Sequence, residues 1–151
     1  MREIIVFSLL IISFCTPAYS QQPKPATKTH DVWVKMTDDA ITLYQQRKHK
    51  EAIALAEKAL DYAKINFGAQ HPDVAESMDN LATYLTAEGE YAKAEDLYTK
   101  ALAIIEKNFG PDSEYTAIFL NYLSDFYQKI GKVEEAKNLQ ERAAAIRHKA
   151  Q

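Results

Sequence analysis

Cysteine is all but absent from this chain: of 151 residues one, Cys15, is a cysteine, and it lies in an N-terminal leader. Disulfide staples and thiol nucleophiles are thereby excluded for everything downstream, and stability has to come from packing alone. Lipid attachment at Cys15 is disfavoured as well, because lipoprotein processing needs a small residue before the cysteine and Phe14 is large. Glycine is nearly as scarce. Its four copies, Gly68, Gly89, Gly110 and Gly131, fall at the ends of helical stretches, which leaves no phosphate-cradling loop and no glycine-flanked nucleophile turn. An excess of positive charge is also missing. Eighteen Lys and Arg stand against 21 Asp and Glu, a formal net charge of -3, with Lys and Glu interspersed, so no basic stripe exists for nucleic acid. Apolar stretches long enough to span a membrane do not occur either. The run from Ile4 to Phe14 reaches roughly 16 Å as a helix, about half of a ~30 Å hydrocarbon core.

That run belongs to the leader. Met1-Arg2-Glu3 precedes it, and Pro17 with Ala18-Tyr19-Ser20 follows it, the order of a secretory signal cleaved after Ser20. The expectation is a signal peptide over 1–20, an exported protein in the periplasm or secreted, and no stable membrane insertion once the signal is removed; the alternative is an uncleaved N-terminal anchor. Residues 21–30 combine two prolines with polar residues and no apolar periodicity, which reads as a flexible linker. From Asp31 to Ala150 the pattern is helical throughout.

What is present is an internal repeat. LATYLTAEGEYAKAEDLYTKALAIIEKNFG, starting at Leu81, recurs in degraded form from Leu123 as LSDFYQKIGKVEEAKNLQERAAAIRHKA, and a third copy lies upstream at the same offset. Small residues hold their places in all three: Ala52, Ala94 and Ala136 form one set, and Ala59, Ala101 and Ala143 another. Charged residues drift between copies. A small residue repeated at one place in a helix lets a second helix approach closely, so the chain is expected to be all-α, three helical hairpins of antiparallel helices stacked into a solenoid. The punctuation supports six helices: about Asp31–Gln46, capped by Thr29 or Asp31, His49–Phe67, Pro72–Glu88, Tyr91–Asn108, Glu114–Lys129, and Val133 nearly to the end. In the fourth, Tyr91, Ala94, Leu97, Tyr98, Ala101, Leu102 and Ile105 make one apolar stripe, and Lys93, Asp96, Lys100 and Lys107 are left to water. The repeats are placed at about 31–68, 73–110 and 114–150.

Ala82, Leu85, Ala94 and Ala101, with the phrase HPDVAESMDNLATYLTAEGEYAKAEDLYTKALAIIEKNFG from His71, resemble tetratricopeptide repeats, and in particular the long-helix repeats of kinesin light chains. The first copy departs most, with Asp39 where Leu81 and Leu123 stand and Arg47 where Gly89 and Gly131 stand. The resemblance implies that the first helix of each hairpin lines a concave groove. At the groove positions stand Thr37, Asp38, Ile41 and Tyr44 in the first copy, Asp79, Asn80, Thr83 and Thr86 in the second, and Asn121, Tyr122, Asp125 and Gln128 in the third. It further implies that an asparagine at the place of Asn80 holds a peptide backbone, since a side-chain amide donates and accepts at once. Tyr44 and Tyr122 would add apolar contact with a polar tip. The plainer reading is that these side chains are solvated faces. The family's clamp for a C-terminal carboxylate needs lysines, an arginine and asparagines, and this chain has Thr37, Ile41, Ile118 and Tyr122 at those places and retains only Asn80. With Asp38, Asp79 and Asp125 in the wall, a neutral or basic segment is the better match.

Other motifs lose their chemistry in context. His71-Pro72-Asp73 matches the tripeptide of J-domain proteins but occupies an inter-repeat turn, as a helix start. His30, His49, His71 and His148 sit in separate elements without Glu or Cys at ligand spacing, so no metal and no cofactor is expected. Paired acids such as Asp38-Asp39 and Glu134-Glu135 suit first turns or exposed faces. The sequence therefore points to a non-catalytic, exported adaptor or scaffold that holds a protein or peptide segment in its groove. The alternative is a structural subunit or homo-oligomer that assembles through an uncapped terminal repeat.

Overall fold

The computed structural model describes residues 28–149. Six helices follow one another: α1 (Lys28–Gln45), α2 (His49–Phe67), α3 (Pro72–Ala87), α4 (Tyr91–Phe109), α5 (Glu114–Lys129) and α6 (Val133–Lys149). They pair as the hairpins α1/α2, α3/α4 and α5/α6, and the hairpins stack through α2 on α3 and α4 on α5. The expected signal peptide and most of the expected linker lie outside the described residues. Among those described, no helix is long and apolar enough to cross a membrane.

The repeated alanines are the seams. Ala52, Ala94 and Ala101 are fully buried, Ala136 and Ala143 are 1% exposed and Ala59 is 2% exposed. A methyl at each of these places sets the helix separation, and any larger side chain would have to push the pair apart. Larger residues fill the neighbouring grooves: Val74 and Leu120 are wholly buried, and Leu81, Leu102, Leu123 and Ile105 nearly so. Some buried polar groups are tied in across the helices. Trp33 donates its indole N–H to Ser77 Oγ at 2.8 Å, which joins the first hairpin to the second. Ser124 donates to the Ala136 carbonyl at 2.9 Å across the third seam.

Helix ends obey local rules. His71 accepts the Asp73 amide at 3.2 Å on its Nδ1 and so caps α3, with Pro72 in the first turn. The tripeptide is thus a helix start. Ser113 caps α5 by accepting from the Thr116 amide at 3.1 Å. Within each hairpin the turn is the same six-residue closure: Lys48 N–H to Leu43 O, Glu90 to Leu85 and Lys132 to Tyr127, at 2.9–3.0 Å.

Two expectations need correction. α1 begins at Lys28 rather than Asp31, so Thr29 and Asp31 lie inside its first turn; the ring of His30 packs 5.4 Å from Trp33 and 6.1 Å from Phe67 and draws this turn into the fold. Tyr91 leaves the apolar stripe and is 45% exposed, because it starts α4 where α3 has already ended. Asp39, unlike Leu81 and Leu123, faces water and pairs with Lys35 at 2.9 Å. The two leucines have a preceding hairpin to pack on; among the described residues α1 has none.

At the other end α6 buries only Ala136, Ala143 and Ile146. Its basic residues reach back over the second seam: Arg142 to Glu106 at 2.6 Å, Arg147 to Glu114 at 3.0 Å and Lys149 to Asp112 at 3.2 Å. Asn138, Glu141 and Lys149 leave its outer side polar.

Candidate functional site

α3 has two faces with opposite chemistry. Val74, Ala75, Met78, Leu81, Ala82 and Leu85 enter the core, whereas Asp73, Glu76, Asp79, Asn80 and Thr83, spaced three and four apart, follow one line along the other side. α5 faces that line with Tyr115, Ile118, Phe119, Tyr122 and Asp125 at the same spacing. Two clefts open between the helices and meet at Tyr122. One, of about 450 Å³, has acids of α3 on one side and aromatics of α5 on the other, with Ile105 and Phe109 of α4 closing it. The second, of about 240 Å³, is bounded by Tyr44, Thr83, Tyr98, Asp125 and Lys129.

The aromatic side is ordered by its own contacts. Phe109 stacks on Tyr115 with ring centroids 4.4 Å apart, and Phe119 meets Tyr122 edge to face at 5.5 Å. These rings are nevertheless open to water: Phe109 is 41% exposed, Tyr115 56% and Tyr122 42%. In the smaller cleft Thr83 and Tyr98 share a hydrogen bond of 2.9 Å between hydroxyls, and Tyr44 stacks on Tyr84 at 4.7 Å.

The acidic side is electrostatically unsettled. Burial raises the Asp79 carboxyl to about 7, and the neighbouring Glu76 charge adds to the rise. One Asp79 oxygen, Oδ1, is sealed from water without a hydrogen-bond partner. Glu76 is raised chiefly by partial burial and then by Asp73; His30 opposes this and Asp38 adds to it. Tyr122 is raised by burial and then by the charges of Asp79 and Glu76, which shows that the two sides of the cleft feel each other. Several acids elsewhere are matched by a base: Asp96 by Lys100 at 2.6 Å, Glu95 by Lys132 at 2.8 Å, Glu106 by Arg142 at 2.6 Å. Neither Glu76 nor Asp79 has a lysine or arginine partner among the described residues.

The sequence-derived groove residues divide into two groups. Asp79, Asn80, Thr83, Tyr122 and Asp125 come together along the paired clefts, with Tyr44 at one end and Ile41 half-buried beside it. Thr37 lines neither cleft, and Thr86 lines the smaller one as a buried residue. Thr37 is 8% exposed and its hydroxyl is sealed without a partner, and Thr86 turns its hydroxyl back to the Ala82 carbonyl at 2.7 Å. Asn121 is drawn away as well: with its amide oxygen toward α6, it accepts from both terminal nitrogens of Arg147 at 3.0 Å. Thr37, Asp79 and Asn121 share one register, at the edge between groove and seam, and what each does depends on the helix beside it. Glu76, Tyr115, Phe119 and Phe109 escaped the sequence reading. The stripe Asp73, Glu76, Asp79/Asn80, Thr83 was the available signal for the first of these. Among the described residues no group of three or more His, Cys, Asp or Glu comes together in a way that could hold a metal.

Comparison with known proteins agrees with this architecture. No curated protein matches the sequence. Among solved structures, a protein from Podosopora anserina described as a kinesin light chain with nearly identical repeats is similar, with a TM-score of 0.71 and 25% identity over 80% of this chain and 57% of that one. BtubC from P. vanneervenii gives a TM-score of 0.73 and 24% identity over 84% of this chain and 50% of that one. The chain thus spans about half the length of each. The repeat domain of Arabidopsis FLU gives 0.64 and 17% identity over 82% and 99%. The model of the tetratricopeptide repeat matches twice, over residues 40–107 and 80–149, and this range takes in most of the chain: it belongs to the tetratricopeptide repeat family.

Proposed function

We propose that this protein is an exported adaptor that holds a segment of another protein in the groove between α3 and α5. Tetratricopeptide repeats generally mediate protein–protein interaction or scaffolding, and the observation that carries the reading here is the pair of clefts joined at Tyr122. Together they make a path beside α3 in which apolar rings on one side face groups able to hydrogen-bond on the other, which suits an extended peptide. The helices that form the path are already packed, so the ordering cost of binding falls mainly on the ligand. The leader-like residues 1–20 support export.

The groove is tested by capture of partners from the exported fraction with wild-type protein, with Asn80→Ala/Tyr122→Ala, and with Asp96→Ala/Lys100→Ala on the outer face of α4. The expected result is a partner lost by the first variant and retained by the second, with helicity unchanged in both. Equal capture by all three would overturn the groove. Export is tested by locating the full chain and a version lacking residues 2–20; an identical distribution of the two would refute it.

A further inference from the structure

Resting on that reading, we infer that the larger cleft is a receptor for a basic side chain of the bound segment, an arginine above all. Three independent properties of the cleft converge on a cation. Its α3 side carries Asp73, Glu76 and Asp79, and no lysine or arginine lines it. Its α5 side offers the exposed aromatic rings of Tyr115 and Tyr122, and a guanidinium plane stacks on such rings and is attracted by their quadrupole. Its volume, about 450 Å³, lies within the range of roughly 300–1,000 Å³ typical of ligand pockets.

The contrast with the rest of the surface sharpens the point. Several outer-face acids are paired with a base within the chain, as in Asp96–Lys100, Glu114–Arg147 and Asp112–Lys149. Those of the cleft repel one another, and Asp79 Oδ1 is sealed with nothing donating to it. A guanidinium has five N–H donors in a planar fork. It would bond a carboxylate on one edge and lay its face on an aromatic ring, so one ligand group relieves the repulsion and uses the open rings. Lysine supplies the charge without the plane and ranks second. An acidic segment is excluded by like charge.

The arrangement also makes capture depend on pH. The groups around Asp79 are Asp73, Glu76 and Tyr84 on α3, His30 and Asp38 on α1, His71 before α3, Tyr98 on α4 and Tyr122 on α5. On acidification from pH 8 to 6 Asp79 gains a proton and loses its charge, which weakens the hold on a cation.

The test is a titration of the full chain, followed by backbone amide resonances, with the peptide acetyl-Ser-Ala-Gly-Arg-Ala-Gly-Ser-amide. Its counterparts carry citrulline, Lys, Gln or Glu in place of Arg. The expected result is that the arginine peptide moves amides around Asp79, Tyr115 and Tyr122 and binds at least tenfold more tightly than the citrulline peptide, which keeps the shape and loses the charge. That advantage shrinks at pH 6 and disappears in Glu76→Gln/Asp79→Asn, whose spectrum remains dispersed. If arginine and citrulline peptides move the same cleft amides equally, or the advantage survives in the double variant, the inference falls and the groove stands. If no peptide moves cleft amides, or the arginine peptide instead moves those of the outer-face acids, the groove reading falls with it.

Discussion

The seams within the hairpins and the groove beside α3 are built from the same helices to opposite ends. In the seams the same residue type returns at the same place in every copy, and close packing leaves no room for a larger one. Along the groove the residue type changes from copy to copy. Asp79 Oδ1 is buried there without a hydrogen-bond partner, whereas Thr37 Oγ1 and Tyr84 OH, which also lack one, lie inward beside Ala56 and Ala59. A buried polar group without a partner costs about 1–3 kcal/mol. The seams therefore carry the stability that offsets such costs, and the two regions should respond differently to the same substitution.

The largest difference is expected from bulk. Ala101→Leu places three further carbons in a fully buried seam and should cost about 3 kcal/mol, the upper end of what overpacking does. Asp125→Leu puts the same side chain on the exposed groove wall and should stay within about 0.5 kcal/mol. Urea unfolding followed by circular dichroism measures both. Equal losses would mean that the alanines do not set the helix spacing.

Charge comes next. Asp79 holds its proton to about 7 in the fold, against an ordinary value of 3.8. Between these limits the folded state binds more protons than the unfolded one. Stability is thus greatest below about pH 4 and falls as pH rises through 7. Asp79→Asn removes the charge and should raise stability by about 1–2 kcal/mol at pH 8, with little change at pH 4. Unfolding midpoints at the two values give the answer. A variant that is less stable at pH 8 would show that the Asp79 charge is compensated in the fold.

The seams were legible in the sequence because one cause, close approach of two helices, admits only small residues and so leaves the same mark three times. The groove left a weaker mark. Tyr122 and Asp125 followed from register, but Thr37 and Asn121, which share the register of Asp79, turn inward or to Arg147. Register fixes where a side chain starts, and the neighbouring helix decides where it ends. Phe109 was out of reach for the same reason: it belongs to a second helix and enters the cleft from below. The start of α1 was hidden because the contact of His30 with Phe67 joins residues more than thirty positions apart in sequence.

The smallest expected effect lies at the turns, where the first copy departs from the other two and the backbone does not. Arg47 has a φ of 61°, and its counterparts Gly89 and Gly131 have 81° and 82°. All three close with the same hydrogen bonds. The left-handed conformation costs a residue with a side chain roughly 1–2 kcal/mol, whereas glycine adopts it freely. Packing of the Ala52 seam must therefore hold Arg47 in place. Arg47→Gly should stabilise the fold by about 0.5–1 kcal/mol, since the strain relieved is partly offset by the greater freedom of glycine in the unfolded chain. Gly131→Ala should do the reverse by a similar amount; an added Cβ there meets nothing within 4 Å, so the loss is backbone strain alone. Trp33, buried between the first two hairpins, reports the unfolding of both variants by fluorescence. If Arg47→Gly destabilises the protein, the arginine side chain holds the first hairpin together in some way that outweighs its backbone, and the equivalence of the three turns ends at their geometry.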